Sequence, residues 1–133
     1  MNKEIRYSGI GVDIESISRF ENKTLEKDFV FLTSIFTSKE LEYCFSHSKP
    51  AKHMAARYCA KEAAVKALSH YLCKSIPYNQ IEVGNHPDGC PHIRILNTGC
   101  DADNIRLQVS MSHEKEKAIA FVTASAVSET DVK

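Results

Sequence analysis

The chain has 133 residues, 43% of them hydrophobic, which suffices for one domain of ordinary size with a real core. Seventeen basic and seventeen acidic side chains cancel, so no overall charge attracts nucleic acid or an anionic membrane, and anion binding must be local. The N-terminal residues lack an apolar signal core, and no apolar run is long enough to span a bilayer. Five widely spaced cysteines without a Cys-x-x-Cys pair predict free thiols and a cytoplasmic location.

Residues 7–14 are predicted to form the first strand, because apolar residues alternate along them. One face carries Ile10, Val12 and Ile14. The other face carries Gly9, Gly11 and Asp13. A glycine in a strand often marks the close approach of a ligand or another backbone. Two interpretations of Asp13 stay open: it belongs to a ligand site, or it ends the strand and caps the next helix.

Helical segments are predicted in the stretch that follows. A short helix is expected at residues 17–23, and an apolar helix that is at least half buried is expected at residues 25–35. The next helix begins after Thr37, which can cap it, and Glu40 three residues further on completes a capping box. This third helix is expected to end near Phe45.

Residues 51–68 are the most helix-prone part of the chain, because they are rich in alanine and contain no glycine or proline. Pro50 suits the first turn of this helix. Its small residues form a face that lets another backbone approach closely, namely Ala56, Ala60, Ala63, Ala64 and Ala67. Glu62 and Lys66 stand one turn apart on a neighbouring face. Their spacing fits either a plain helix ion pair or part of a site.

The C-terminal half is predicted to form antiparallel hairpins. Short strands are expected at residues 80–83, 92–96, 105–112 and 117–124. A polar connection or a single helical turn is expected at residues 97–104. The result is an α+β fold, with one domain at residues 1–125 and a loose tail at residues 126–133.

Three features of the sequence can do chemistry together: Asp13 beside its glycines, Glu62 with Lys66, and Ser112 with His113 at a hairpin turn. Magnesium typically takes one or two carboxylates, keeps waters and completes its shell with substrate phosphate. A lysine near such a carboxylate can hold a phosphate as a point charge. No sequence motif of a protein nucleophile occurs. The residues alone therefore indicate an α+β domain with a candidate phosphate-and-magnesium site.

Three motifs occur in a fixed order, GIGVDIE at 9–15, RYCAKEA at 57–63 and SMSH at 110–113. Together they resemble the holo-[acyl-carrier-protein] synthase family, the short type of 4′-phosphopantetheinyl transferase. The likeness runs from about residue 8 to about residue 124. It includes FTSKELEY at 36–43 and DGCP at 88–91. It implies the fold of that family, with a long central helix on an antiparallel sheet, and a homotrimer with sites at subunit interfaces.

The resemblance also implies an activity and its chemical groups. The family moves the 4′-phosphopantetheine arm of coenzyme A to a serine of an apo acyl carrier protein, needs Mg²⁺ and leaves adenosine 3′,5′-bisphosphate. Asp13 and Glu62 would be catalytic residues and the metal ligands, and Lys66 would be a third catalytic residue that holds the pyrophosphate. Phosphoryl transfer needs positioning and neutralised oxygens more than a protein nucleophile. The general base stays open among Glu62, Asp13 and a water on the metal.

Further contacts are implied for both substrates. The candidate contacts to the coenzyme A phosphates are Arg57, Lys66, Ser112 and His113. The candidate contacts to the carrier lie around Arg19, Lys23 and Lys27. The sequence departs from the family here, because lysines and neighbouring acidic residues stand where several arginines are usual. Residues 69–77 also replace a glycine-rich stretch. The carrier can belong to fatty acid synthesis or to a secondary pathway.

Two alternatives to the enzyme remain as hypotheses. The first is a binding module that holds coenzyme A or a carrier without transfer. The small number of arginines in the carrier-binding segment motivates it. The second is a structural oligomeric domain in which Glu62 and Lys66 form a helix ion pair and bind no ligand. The presence of Asp13, Glu62 and Lys66 together favours the enzyme over both.

Overall fold

The computed structural model describes residues 2–69, 71–72, 75–96 and 104–130, with side chains described between residues 7 and 126. The strands are β1 (Asn2–Ser16), β2 (Ile81–Asn85), β3 (Pro91–Ile95), β4 (Ile105–His113) and β5 (Lys117–Thr130). The α-helices are α1 (Phe29–Ile35), α2 (Ser38–Phe45) and α3 (Pro50–Leu68). Short 3₁₀ turns lie at Ile17–Phe20 and Tyr78–Gln80. The predicted α+β fold is confirmed.

Two antiparallel sheets and one long helix make up the core. β1, β5 and β4 form a three-stranded sheet in that order, and β2 pairs with β3 as the predicted hairpin. α3 packs mainly on β1 and β5 and less on β4. Its alanines are almost completely buried against Ala118, Ala120 and Val122 of the central strand. A long helix therefore lies across the middle of the sheet.

The glycines of β1 let α3 approach the sheet closely, as their spacing predicted. A Cβ atom on Gly11 would lie 1.9 Å from the carbonyl oxygen of Ala63, and a Cβ atom on Gly9 would lie 1.9 Å from that of Ala67. Neither helix carbonyl can give way by that much, because both belong to the hydrogen-bonded backbone. The helix therefore covers the glycine face of β1. Asp13 lies on the same face, at the end that the helix does not cover.

The opposite face of the sheet carries an exposed apolar patch on β1 and β5. Its largest exposed residues are Ile10, Val12, Ile14, Ile119 and Phe121, each between 41% and 63% exposed. The register places Val12 beside Phe121 and Ile14 beside Ile119, so these side chains form one continuous patch, here called the outer sheet face. A contiguous apolar patch of this kind marks an interaction surface.

The predicted capping box of α2 is confirmed. The Glu40 backbone N–H donates to Thr37 Oγ1, and Glu40 Oε1 accepts from the Thr37 N–H. The long helix begins at Pro50 and ends at Leu68, within one residue of the expected bounds. Strand β4 has its predicted alternation, with Ile105, Leu107, Val109 and Met111 packed against the core.

Some predicted bounds are wrong. The helix expected at 17–23 is only a 3₁₀ turn at Ile17–Phe20, and the helix expected from residue 25 begins at Phe29. Side chains account for the later start, because Thr24 N–H donates to Asp28 Oδ2 and Lys27 N–H donates to Thr24 Oγ1. Only one side of α1 is buried, since Phe29 and Val30 are exposed.

The end of the sheet also differs from the sequence prediction. β5 runs to Thr130 instead of ending near Ala124, because residues 127–130 pair with residues 2–5 of β1. Residues 126–130, expected in a loose tail, thus continue the strand, and residues 131–133 lie outside the described part. The connection expected at 97–104 also lies outside it, apart from Asn104.

The predicted free thiols are confirmed for the cysteines that the structure describes, Cys44, Cys59 and Cys90. Cys73 and Cys100 lie outside the described residues. None of the helices in the described ranges has the length and apolar character needed to cross a membrane.

Candidate active site

The residues singled out in the sequence separate into two groups on opposite sides of α3. At about 100° per residue, Glu62 and Lys66 point about 140–180° away from His53 and Arg57 around the helix axis. The first pair faces the side of β1, where Asp13 lies. The second pair faces the side of β4, where His113 lies. β5 runs between β1 and β4, and α3 covers it, so the helix separates Asp13 from His113.

Asp13 and Lys66 meet across the helix–sheet junction. The Lys66 ammonium lies 3.3 Å from Asp13 Oδ1 and donates to the Val12 carbonyl oxygen at 3.0 Å. The lysine side chain is 54% exposed, whereas that of Asp13 is 18% exposed. A positive charge therefore already sits beside the predicted metal carboxylate. Because its side chain is long and exposed, the ammonium is free to turn toward another anion.

Glu62 is held by two tyrosines and not by Lys66. Its Oε1 accepts hydrogen bonds from the hydroxyls of Tyr58 at 2.8 Å and Tyr78 at 2.5 Å. Burial, followed by the hydrogen bond to this carboxylate, raises the pKa of Tyr78, so its hydroxyl stays protonated. Within the described part of the chain, Glu62 Oε2 accepts no hydrogen bond. The helix ion pair that the spacing allowed is thus not formed.

The Cys59 thiol is buried between α3 and the central strand. Cys59 is fully buried, and its Sγ donates to the carbonyl oxygen of Ala118 on that strand. Burial, followed by the negative charges of Asp13, Glu15 and Glu62, raises the pKa of this thiol to about 12. The thiol is therefore neutral at pH 7.

Lys61 fixes the side of α3 that carries Glu62. Its ammonium is fully buried and donates to Glu40 Oε1 at 2.7 Å and to the Tyr78 carbonyl oxygen at 2.8 Å. It thereby ties the long helix to α2 and to the 3₁₀ turn that carries Tyr78. The buried ammonium of Lys61 holds the backbone of Tyr78, and the Tyr78 hydroxyl in turn holds Glu62.

Arg57 is buried on the other side of the helix. Its Nη2 donates to Asn85 Oδ1 at 2.7 Å, and its guanidinium lies 4.0 Å from the centre of the Tyr43 ring. Its Nε atom is buried and has no hydrogen-bond partner in the described structure. Arg57 is therefore fixed, and it retains one unpaired donor.

His113 is exposed at the end of β4, and its ring lies 6.5 Å from that of His53. Burial and the positive charges of His47 and Arg57 lower the pKa of His53 to about 4, which leaves that ring neutral at pH 7. A cleft of about 660 Å³ opens beside His113. Its lining has four lysines, Lys23, Lys49, Lys52 and Lys115, and two glutamates, Glu21 and Glu114. The cleft therefore has an excess of positive charge.

Ser112 points away from both groups. It pairs with Ile119 of β5, which in turn pairs with Ile14 of β1, so its side chain lies on the outer sheet face. The structure therefore brings Lys66 onto Asp13 and places Glu62 on the same side of α3, with no hydrogen bond or ion pair between Glu62 and either of them in the described part of the chain. It places His113 near His53 on the side of Arg57 and leaves Ser112 apart from both groups within one chain.

The donor set on the β1 side fits a magnesium ion. Asp13 and Glu62 offer hard carboxylate oxygens, and Glu62 Oε2 accepts no hydrogen bond from the residues that the structure describes. The partner of Asp13 is an exposed ammonium, which a divalent cation can displace. Within the described ranges no cluster of three or more His, Cys, Asp or Glu side chains occurs. The fit is therefore to an ion that takes two protein carboxylates and further oxygens from water or substrate.

The two tyrosines were missed in the sequence. Tyr58 lies four residues before Glu62, a spacing at which helix side chains meet, so a signal for it was available. Tyr78 has no comparable signal, because a loop separates it from α3 and only the fold brings it back. The burial of Lys61 was also unpredicted, since lysine is almost never fully buried unless it is paired.

Comparisons with known proteins identify the family of the chain. The family model of the 4′-phosphopantetheinyl transferase superfamily matches residues 9–122. A holo-[acyl-carrier-protein] synthase of Thermodesulfovibrio yellowstonii is 40% identical over 114 residues, which cover 86% of this chain and 95% of that protein. A second holo-[acyl-carrier-protein] synthase, from Syntrophus aciditrophicus, is 36% identical over 118 residues.

Solved structures are similar over the same span. A Bacillus anthracis holo-(acyl-carrier-protein) synthase in complex with CoA (3′,5′-ADP) is 31% identical with a TM-score of 0.70, covering 89% of this chain and 96% of that one. A Helicobacter pylori holo-[acyl-carrier-protein] synthase in complex with coenzyme A is 31% identical with a TM-score of 0.71, covering 90% and 99%. The chain belongs to the 4′-phosphopantetheinyl transferase superfamily, in its holo-[acyl-carrier-protein] synthase family, as its motifs indicated.

Proposed function

We propose that this chain transfers the 4′-phosphopantetheine group of coenzyme A to a serine hydroxyl of an apo acyl carrier protein. The reaction is Mg²⁺-dependent and leaves adenosine 3′,5′-bisphosphate. The observation that carries the proposal is the placement of Glu62 on the same side of α3 as the Lys66–Asp13 pair, in a chain of this family. Two carboxylates and one mobile ammonium are what a metal-assisted phosphoryl transfer requires when the nucleophile comes from the substrate.

The residues divide the work between binding and charge neutralisation. Asp13 and Glu62 would hold Mg²⁺, which supplies charge neutralisation and orientation to the phosphate oxygens. Lys66 would leave Asp13 and donate to the pyrophosphate, so that its ammonium neutralises the negative charge that develops on the leaving phosphate. Tyr58 and Tyr78 keep the Glu62 carboxylate oriented.

The coenzyme A phosphates are expected on the basic side. Arg57 retains an unpaired Nε donor, and His113 stands at the mouth of a cleft that lysines line. These groups give the local anion attraction that the zero net charge of the chain does not supply. Ser112 would reach the same ligand from the outer sheet face, provided that a second copy of the chain packs there.

The carrier is expected to dock around Arg19, Lys23 and Lys27. Arg19 is partly exposed, pairs with Glu15 at 2.9 Å and lies 4.8 Å from the centre of the Tyr58 ring. Lys27 is exposed in the turn before α1. Exposed cations here suit an acidic partner, and the proximity of Arg19 to Tyr58 supports a docking position near Glu62.

We further propose that the active unit is a homotrimer. The two groups of site residues lie on opposite sides of α3, so one chain cannot present both to a single coenzyme A at short range. The outer sheet face is apolar and exposed, and covering it with further copies of the chain would remove that surface from water. It would also bring Ser112 of one copy next to one of the two sides of α3 in another copy.

Val12→Glu is expected to convert the trimer into monomers, because it places a charge in the centre of the outer sheet face. Sedimentation equilibrium measures the mass directly, and circular dichroism checks the fold. Val30→Glu is the matched control, since Val30 is an exposed valine on α1, away from that face. A wild-type protein that sediments as a single chain would contradict the trimer. Transfer by the Val12→Glu monomer at the wild-type rate would contradict a shared site.

The transferase itself is tested by incubation with coenzyme A, Mg²⁺ and apo carrier proteins, followed by intact mass of the carrier. Carriers of fatty acid synthesis and of secondary pathways are both included. We expect the mass of one phosphopantetheine group to be added, and to need Mg²⁺. Coenzyme A binding without any mass gain on the carriers would support the binding module instead. A melting temperature unchanged by coenzyme A and Mg²⁺, with no mass gain, would support a structural domain.

A further inference from the structure

We propose that Tyr58 and Tyr78 are positioning residues that hold the Glu62 carboxylate by Oε1 and so direct Oε2 to the divalent cation. The inference rests on the proposed function, because it concerns the same cation. Neither tyrosine contacts the cation or substrate; both act through Glu62.

The hydrogen bonds define which carboxylate oxygen is available. Oε1 accepts from both tyrosine hydroxyls, at 2.8 Å from Tyr58 and 2.5 Å from Tyr78. A carboxylate oxygen has about two acceptor positions, so Oε1 is fully used. Oε2 receives no hydrogen bond from the part of the chain that the structure describes. The two hydroxyls thus distinguish two otherwise equivalent oxygens and leave one of them to the metal.

The tyrosines are themselves fixed by contacts that do not involve Glu62. Tyr58 lies between the Phe20 ring, at 5.7 Å between centroids, and the Arg19 guanidinium, 4.8 Å from its ring centre. Tyr78 stands in a 3₁₀ turn whose carbonyl accepts from the buried Lys61. The two rings meet edge to face at 5.6 Å. A rigid aromatic pair from two elements therefore clamps a flexible side chain.

The clamp also prevents a competing arrangement. Glu62 lies four residues before Lys66, which is the favoured order for a helix ion pair. In that pair the carboxylate would turn along the helix toward the lysine. The tyrosine hydroxyls hold Glu62 in another direction, and Lys66 pairs with Asp13 instead. The two predicted catalytic side chains are thus kept apart, and both face the place where the cation and phosphate are expected.

The test replaces each tyrosine by phenylalanine, singly and together, so that the rings remain and only the hydroxyls are lost. Mn²⁺ binding is followed by electron paramagnetic resonance, with and without coenzyme A, and transfer is measured over a range of Mg²⁺ concentrations. We expect the Mn²⁺ dissociation constant and the Mg²⁺ concentration for half-maximal rate to rise about tenfold in each single variant. The rate at saturating Mg²⁺ and the KM for coenzyme A stay within about threefold of wild type.

Tyr71→Phe is the matched control, because the Tyr71 ring packs on Tyr7 and lies outside the clamp. It is expected to bind Mn²⁺ as the wild type does. Because Tyr58 and Tyr78 belong to different elements, one variant still tests the idea if the other unfolds. Mn²⁺ affinities within twofold of wild type in the folded variants would overturn the positioning role. A wild type that binds Mn²⁺ but never modifies a carrier would overturn the proposed function and leave the clamp supported by its own titration.

Discussion

Asp13→Asn and Glu62→Gln are each expected to slow carrier modification by at least about a thousandfold, measured as the initial rate of mass gain on the carrier. Each change keeps the shape of the side chain and removes one negative charge. Magnesium prefers anionic oxygen ligands, and each carboxylate is one of only two that the described site offers. Loss of either should therefore weaken the cation and misplace the phosphate group that it orients.

The fold should survive both changes. The ion pair of Asp13 with Lys66 is half exposed on the lysine side, and pairs of this kind contribute about 0–1 kcal/mol. Glu62→Gln retains an acceptor oxygen for the two tyrosine hydroxyls. Thermal unfolding of both variants should therefore resemble that of the wild type, so a lost rate reports on the site.

Control substitutions outside the site distinguish the loss of a negative charge from the loss of a site residue. Asp88→Asn lies in the exposed turn between β2 and β3, and Glu42→Gln is exposed on α2. Each removes the same charge as its counterpart and should leave the transfer rate within about twofold. Either active-site variant turning over like wild type at limiting Mg²⁺ would contradict the metal assignment of that carboxylate.

The parts of the fold that the sequence predicted are those with short-range causes. The capping box of α2 is set by Thr37 and Glu40, three residues apart, and both hydrogen bonds form as expected. The close approach of β1 to α3 follows from glycines on one surface and alanines on the other. In each case the pattern lies within single elements, the capping pair of α2, the glycines of β1 and the alanines of α3, so the spacing along each element carries the information.

The missed features depend on partners far apart in the sequence. Glu62 pairs with Tyr78 and not with Lys66, because the 3₁₀ turn after the loop returns to the helix. β5 extends to Thr130 because the long first strand provides hydrogen-bond partners for residues of low apolar content. Spacing along one element predicts which side chains can meet. It does not predict which of several competing partners forms the hydrogen bond when one of them comes from another element.

The division of the candidate site into two sides of α3 has the same origin. Periodicity placed Arg57 on the same helix as Glu62, and the resemblance assigned Glu62 to the metal ion and Arg57 to the coenzyme A phosphates. The helix carries them about 140° apart, and the sheet order then places His113 and Asp13 on its two outer strands. In the proposed trimer, each chain would contribute these two groups separately, and the exposed outer sheet face would be the surface through which copies of the chain combine them.

Lys61→Met is expected to lower the free energy of unfolding by about 3–5 kcal/mol, measured by urea denaturation at a fixed protein concentration. The Lys61 side chain is fully buried and donates to Glu40 at 2.7 Å. Its other acceptors are the carbonyl oxygens of Ile35, Tyr78 and Ile81. Burial lowers the pKa of this ammonium, and the adjacent carboxylate opposes that change. Methionine fills the space but leaves a buried charge and three carbonyls without their donor.

Glu40→Gln should cost less, about 1–3 kcal/mol, because three carbonyl oxygens still surround the ammonium and an amide oxygen can still complete the cap of α2. Lys39→Met, an exposed lysine beside it on α2, is the control and should change stability by less than about 0.5 kcal/mol. A loss below 1 kcal/mol in Lys61→Met would show that the buried pair is dispensable.

Because Lys61 also holds the Tyr78 backbone, Lys61→Met should weaken Mn²⁺ binding under conditions where it remains folded, whereas Lys39→Met should not. That joint result would connect the stability of the helix core to the orientation of the Glu62 carboxylate.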